Sequence, residues 1–212
     1  MIPIQALTEE AECIDFLNHQ QQRILAPNLK VTASMMMKKY AQVLPSYVMD
    51  SMLWEERARI IPLDSCSISN ELDIKIDDSR IKYTDSREEA WEELFAYNIL
   101  PLLESFHQVT NLPVFILWEN VAVRINSYFR KAVERYPDAH QAIVQLAEEF
   151  NQLGGSCFNW VEHPMKNYLT APKSLREQKV RRTCCYFHKL EKKKEALTHC
   201  LVCPLSNKKC SS

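Results

Sequence analysis

Glycine is nearly absent from this sequence. Of its 212 residues only Gly154 and Gly155 are glycines, and they are adjacent. A dinucleotide-binding fold needs a G-x-G-x-x-G turn, and a P-loop needs two separated glycines followed by Lys and then Ser or Thr. One adjacent pair can form neither motif. The sequence therefore excludes the two commonest routes to binding NAD(P)H or a nucleoside triphosphate.

Long hydrophobic runs are missing as well. No stretch approaches the ~20 apolar residues that a membrane-spanning helix requires. The first ten residues show no basic region followed by an apolar core, so they do not resemble a secretory signal. Hydrophobic residues make up 46% of the chain and charged residues 25%, which is ordinary for a soluble globular protein. We therefore expect a cytoplasmic protein without an integral membrane segment.

The spacing of apolar residues predicts an α+β fold that is mostly helical. Residues 9–23, 33–44 and 47–54 have helical spacing, with Pro45 interrupting the last two segments. Between Arg59 and Asp85 the period changes to two, which predicts two or three strands of a small antiparallel sheet. The cluster Asp77-Asp78-Ser79 is typical of a hairpin turn between strands.

A second run of helices is predicted after the strands. Ser86 and Glu89 form a capping box that opens the first of them, and Pro101 is expected to kink or split it. Pro113 begins the next helix, and a third ends at the two glycines. Beyond residue 156 the regular pattern weakens. We expect a mainly helical body over residues 1–172 and a cysteine-rich module over residues 173–212.

Cysteine is the residue whose placement is most informative. Five of the eight cysteines lie between positions 184 and 210, whereas Cys13, Cys66 and Cys157 are scattered. A disulfide framework suits a short secreted chain, and this chain resembles neither. In a reducing compartment, clustered cysteines indicate metal or redox chemistry.

Two cysteine pairs could form one metal site. Cys200 and Cys203 are spaced as C-x-x-C and are followed by Pro204, whereas Cys184 and Cys185 are adjacent and their side chains diverge. A single zinc ion typically takes two spaced pairs, and a [2Fe–2S] cluster accepts a more spread set of four sulfurs. The spacing alone leaves an iron–sulfur cluster, a zinc site and a structural or disulfide role open. The further candidates for zinc are His188, His199 and Cys210.

The cysteine motifs resemble one known family. R-R-T-C-C at residues 181–185 and C-x-x-C-P-L at residues 200–205 look like the C-terminal signature of the FhuF-like ferric-siderophore reductases. A fainter likeness covers Trp118-Glu119-Asn120. The resemblance implies that Cys184, Cys185, Cys200 and Cys203 bind a [2Fe–2S] cluster. This chain has 14 residues between the pairs where the family has 10, and such a loop can lengthen at small entropic cost.

The resemblance also implies an activity. Similar proteins are oxidoreductases that reduce Fe(III) in a siderophore by one electron and release Fe(II) in the cytoplasm. Because the glycine motifs are missing, the electron is expected to come from a ferredoxin, a flavodoxin or a reductase that feeds them. The alternative is a zinc-stapled protein that binds nucleic acid or a chelator without redox chemistry.

The C-terminal segment is basic although the chain as a whole carries a net charge of −1. From Lys173 to Cys210 there are 11 Lys or Arg and 3 Glu, a net charge of +8, and the remainder has a net charge of −9. We hypothesise that the basic residues near the cysteines attract an anionic hydroxamate- or citrate-type chelate; they are Arg181, Arg182, Lys189, Lys192, Lys193 and Lys194. The other interpretation is a solvated loop. These residues are not interleaved with aromatic platforms, so we expect no nucleic-acid partner.

Overall fold

The computed structural model describes residues 1–191 and 198–206, and most of the chain is helical. The α-helices are α1 (Glu10–Arg23), α2 (Leu29–Trp54), α3 (Arg87–Leu94), α4 (Leu100–Thr110), α5 (Val114–Arg135) and α6 (His140–Gln152). No helix in this part of the chain is both long enough and apolar enough to cross a membrane. The expected mostly helical α+β fold is confirmed.

The strands are short and form two antiparallel sheets. They are β1 (Ile2–Pro3), β2 (Ala58–Ile60), β3 (Cys66–Ile68), β4 (Ile74–Ile76) and β5 (Lys82–Thr84). One sheet has the order β1-β3-β4, and the other pairs β2 with β5. The turn at residues 77–79 is present, with the Asp77 carboxylate accepting from the Ser79 amide at 3.1 Å. The hairpin expected there is wrong, because β4 and β5 belong to different sheets.

Helix α2 runs through Pro45 without a break. The prediction that Pro45 separates two helices is therefore wrong. A proline inside a helix removes one hydrogen bond and costs about 3 kcal/mol. In α2 this cost is offset by packing, because Pro45 and its neighbours Leu44 and Val48 are buried in the core.

The boundaries of α3 and α4 follow the predicted signals. Ser86 caps α3, its hydroxyl oxygen accepting from the Glu89 amide at 3.2 Å. The helix splits before Pro101, which lies in the first turn of α4, and a π-helical turn over Phe95–Ile99 joins the two parts. Within that turn the buried Asn98 accepts from the Tyr40 hydroxyl at 2.5 Å. The amide of Asn98 donates to the Ile61 carbonyl at 2.9 Å, which ties α2, the π-helical turn and the residue after β2 together.

One core joins these elements. Helices α2 and α5 pack against each other at its centre, and an aromatic cluster lies between α3, α5, α6 and the loop after α6. The rings of that cluster are Trp91, Phe95, Trp118, Phe150 and Phe158. The chain then returns across α2 and α5, where it carries the two cysteine pairs.

Gly155 is required by a close approach of the backbone. A Cβ atom at this position would lie 2.6 Å from the Val161 carbonyl oxygen and closer still to that of Trp160. We expect Gly155→Ala to displace this loop at a cost of about 1–3 kcal/mol, lowering Tm by roughly 2–12 °C. Thermal unfolding followed by circular dichroism measures this. Gly154→Ala is the matched control, because its nearest contact would be a side-chain atom at 3.4 Å. Equal Tm values for the two variants would contradict the argument.

Candidate metal centre

One sulfur of each cysteine pair lies close to one sulfur of the other. The Cys185 and Cys200 sulfurs are 3.6 Å apart. Burial raises the pKa of the Cys184 thiol, and the charges of Cys185 and Cys203 add to this. The two segments are joined by a backbone hydrogen bond of 3.0 Å from the Arg181 amide to the Val202 carbonyl. The seven cysteines in the described part of the chain form no disulfide with one another.

A backbone bend follows the adjacent cysteines. Tyr186 has a φ of 63°, a left-handed conformation that is uncommon for a bulky residue and is found where surrounding structure enforces it. Two hydrogen bonds hold the bend. The Tyr186 amide donates to the Cys184 sulfur at 3.3 Å, and the Ser34 hydroxyl donates to the Cys185 carbonyl at 2.9 Å. The bend holds the backbone of the adjacent cysteines, and the Cys185 sulfur faces the Cys200 sulfur.

The C-x-x-C segment forms a tight turn. The Cys203 amide donates to the Cys200 carbonyl at 3.0 Å, which closes the turn between the two cysteines. The Leu205 amide, just after Pro204, donates to the Cys203 sulfur at 3.4 Å. Amide donors to sulfur stabilise thiolates and tune the potential of a bound cluster. Each cysteine pair therefore has at least one sulfur that receives a backbone N–H.

The distance between the Cys185 and Cys200 sulfurs fits ligation of one metal by both. Two thiolates on one tetrahedral metal at about 2.3 Å lie about 3.8 Å apart, close to the 3.6 Å between Cys185 and Cys200. Across residues 1–191 and 198–206, no three Cys, His, Asp or Glu side chains are grouped closely enough to hold one metal ion. A binuclear centre, which takes two sulfurs on each metal, would hold Cys185 and Cys200 on one metal and would need Cys184 and Cys203 on the other.

Glu119, on α5, anchors the first cysteine segment. Its side chain is 1% exposed and forms an ion pair of 3.3 Å with Arg181, which is fully buried. The same carboxylate accepts from the Arg182 amide at 2.6 Å, from the Thr183 amide at 3.0 Å and from the Thr183 hydroxyl. The backbone just before Cys184 is thus held by one buried carboxylate.

Asn120 connects this anchor to α2. Its carbonyl oxygen accepts from the Arg181 guanidinium at 2.7 Å, and its amide donates to the Ser34 hydroxyl at 3.0 Å. Because Ser34 in turn holds the Cys185 carbonyl, a continuous buried network connects α5, α2 and the cysteines. Such networks are stabilising only when every member is satisfied, as these members are.

Positive charge from the helical body surrounds the Cys185 and Cys200 pair. The Lys38 ammonium lies 3.5 Å from the Cys185 sulfur and 5.2 Å from the centre of the Phe187 ring. Burial lowers the pKa of Lys38, and the charges of Cys185 and Cys200 oppose this. Burial likewise lowers the pKa of Arg124, whose Nε donates to the Lys38 carbonyl at 3.1 Å.

The pKa values of the two close sulfurs are shifted in opposite directions. The hydrogen bond between the two sulfurs, aided by the charges of Lys38 and Arg181, holds the pKa of Cys185 well below its ordinary value. The same hydrogen bond, together with burial, raises the pKa of Cys200, so the two sulfurs share one proton. Metal binding must displace that proton, since the thiolate is the ligand.

The three described residues of the predicted basic set lie in different surroundings. Arg181 is buried against Glu119, so its charge is used inside the protein. The Arg182 side chain is exposed, and Lys189 lies 5.0 Å from the Tyr186 ring. Lys192, Lys193, Lys194 and Cys210 lie outside the described residues. The sequence analysis missed Lys38 and Arg124. It assigned no role to Glu119, although Glu119 lies in the faint family likeness and, with Asn120, interrupts the apolar period of α5.

Two histidines adjoin the cysteines. The His188 Nδ1 atom is 3.4 Å from the Cys184 sulfur, and the rings of His188 and His199 stack at 5.7 Å. This places both near the site as neighbours of its ligands. His188 is the non-cysteine side chain best placed to replace or support Cys184.

Comparison with known proteins adds no relative. No protein-family model matches the chain, and it matches no curated protein. The resemblance to ferric-siderophore reductases therefore rests on residues 181–185 and 200–205, and the function must be argued from the chemistry of the site.

Proposed function

We propose that the chain is an oxidoreductase that binds a [2Fe–2S] cluster through Cys184, Cys185, Cys200 and Cys203 and reduces Fe(III) held in a siderophore. The observation that carries the proposal is the 3.6 Å approach of the Cys185 and Cys200 sulfurs without a disulfide, from two segments with metal-ligand spacing. The sulfur-directed amides of Tyr186 and Leu205 support the same assignment.

The four proposed ligands differ in exposure, and this difference indicates the side from which an electron would leave. A bound [2Fe–2S] cluster would supply the capacity to accept and donate one electron. Cys185 and Cys203 are 2% and 3% exposed and lie on the protein side, whereas Cys184 and Cys200 are half-buried. An electron would therefore leave most directly past the sulfurs of Cys184 or Cys200.

The reaction needs little else from the protein. Hard oxygen donors bind Fe(III) far more tightly than Fe(II), so adding one electron to the ferric chelate weakens it and releases iron. No bond of the chelator breaks and no general acid or base is required. The protein's residues must hold the chelate near Cys200 and keep water from the buried ligands. The electron comes from a ferredoxin- or flavodoxin-type donor.

The proposal is tested on protein purified without oxygen. We expect visible absorbance that bleaches with dithionite, together with about two irons per chain. After dithionite reduction and desalting, mixing with a ferric citrate-hydroxamate should release about one Fe(II) per cluster, measured with a chromogenic Fe(II) chelator. NADPH and ferric chelate without a donor protein should give almost no turnover.

A structural zinc site is the second candidate, favoured by the contact between His188 and Cys184. It predicts a colourless protein that carries stoichiometric zinc and releases no Fe(II) from a ferric chelate. Metal analysis of the same preparation separates the two candidates, and zinc without iron would refute the proposal above.

A further inference from the structure

A cavity of about 220 Å³ opens beside Cys200. Its walls come from α2, α5 and the segments at residues 177–179 and 199–202, and they include Lys38 and Arg124. Sites for drug-sized ligands are usually about 300–1,000 Å³. This cavity therefore has room for one arm of a chelate, next to a sulfur that the proposed function assigns to the cluster.

The cavity presents more positive charge than its neighbours neutralise. Within the described residues, neither Lys38 nor Arg124 forms an ion pair with a carboxylate. Glu177 is the one acidic residue on this wall, and it is exposed. A half-buried cation is costly unless an anion compensates it. Lys38 already meets the Cys185 sulfur, which leaves Arg124 as the better candidate for an external anion.

A second cavity continues from the first along α5. It measures about 270 Å³, shares Arg124 and Ser127 with the first, and adds Lys131 and Arg135. Spacings of seven and four residues place Arg124, Lys131 and Arg135 on one face of the helix. No cysteine lines this second cavity, so the charge of a bound cluster does not account for the basic stripe. Its acidic residue, Asp50, accepts from the Tyr128 hydroxyl at 2.8 Å.

We propose, on the basis of the function proposed above, that these two cavities bind the carboxylate-bearing part of an anionic ferric chelate, with Arg124 as the principal contact. A guanidinium pairs with a carboxylate through two parallel hydrogen bonds, which a neutral chelate cannot offer. The iron then lies at the Cys200 end, where the electron leaves. The substrate class is a citrate-based hydroxamate, in contrast to a neutral trihydroxamate.

The test separates binding from reduction by using gallium(III), which is not reduced. The holoprotein is titrated by calorimetry with the gallium complex of a citrate-based dihydroxamate, and separately with that of a neutral trihydroxamate. Arg124→Gln should weaken binding of the anionic complex about tenfold or more and flatten its salt dependence. Binding of the neutral complex should not change. Arg124→Lys should recover part of the affinity.

The matched control is Lys39→Gln, which removes one positive charge from α2 but lines neither cavity. It should leave both titrations within about twofold of wild type. Equal loss for the anionic and neutral complexes on Arg124→Gln would overturn the inference, because it would mean that Arg124 serves only the cluster or the fold. Failure of the proposed function looks different, since the wild-type protein would then lack iron or would not release Fe(II).

Discussion

Glu119→Gln should release the first cysteine segment from α5 and abolish cluster loading. The carboxylate accepts from the Arg181 guanidinium, from the amides of Arg182 and Thr183 and from the Thr183 hydroxyl. A glutamine keeps one acceptor oxygen and turns an NH₂ group towards these donors. Removing one member of a buried ion pair costs about 3–5 kcal/mol, because the other charge is left uncompensated.

The loss of structure in Glu119→Gln should be confined to the first cysteine segment. Since the segment lies over α2 and α5 and is not part of the helical core, we expect it to open while the helices stay folded. Hydrogen exchange at the Arg182 and Thr183 amides should accelerate roughly 10²–10⁴-fold, the equivalent of 3–5 kcal/mol. Iron content should fall to a small fraction of wild type, with little change in helical circular dichroism.

Glu134→Gln is the matched control for this prediction. Glu134 lies on the same helix and pairs with Arg130 at 2.8 Å, but its side chain is 48% exposed. Exposed ion pairs contribute about 0–1 kcal/mol, so exchange at Arg182 and the iron content should stay near wild type. Normal protection and normal iron in Glu119→Gln would show that the buried carboxylate does not hold the cysteines.

The regular helices of the fold were predictable from the sequence, and the exceptions have physical reasons. The apolar period of α5, the Ser86 cap and the split before Pro101 all act locally, within a turn or two of chain. Pro45 misled the prediction because its cost is offset by burial from distant elements, which no local pattern records. Strand β1 was missed because it has two residues and forms only by pairing with β3, more than sixty positions away.

Some residues of the candidate site were likewise predictable from the sequence and others were not. The cysteines were found because their spacing is written in the sequence. The charges beside them were not, because Lys38 and Arg124 come from helices that precede the cysteines by 147 and 61 positions when counted to Cys185. Arg181 was assigned to substrate from its sequence neighbourhood, whereas its burial against Glu119 is visible only in three dimensions. Two signals could have revealed the anchor, namely the polar pair in the apolar face of α5 and the faint family likeness over Trp118-Glu119-Asn120.

Replacing the proposed ligand cysteines with serine should also have a large effect on the amount of bound iron. We expect Cys185→Ser and Cys200→Ser each to lose most of the bound iron and the visible absorbance, because they form the close sulfur pair and an alcohol is a poor ligand for iron at neutral pH. Iron and acid-labile sulfide analysis of each purified variant measures this. The Cys184→Ser and Cys203→Ser variants should also lose the cluster if each iron takes two of the four sulfurs.

Two further variants decide whether these four cysteines are the whole ligand set. Cys157→Ala removes a buried cysteine that lies outside both cysteine segments and is acted on by the charges of Glu88 and Glu92 on α3, and it should keep its iron. Cys210→Ser should keep its iron as well, because the four sulfurs already complete two pairs. Loss of iron in Cys210→Ser together with retention in Cys184→Ser would contradict the assignment and make Cys210 a ligand. Retention in Cys184→Ser and loss in His188→Ala would instead assign that position to the imidazole 3.4 Å away. The adjacent cysteine pair is therefore the part of the site on which the binuclear assignment depends.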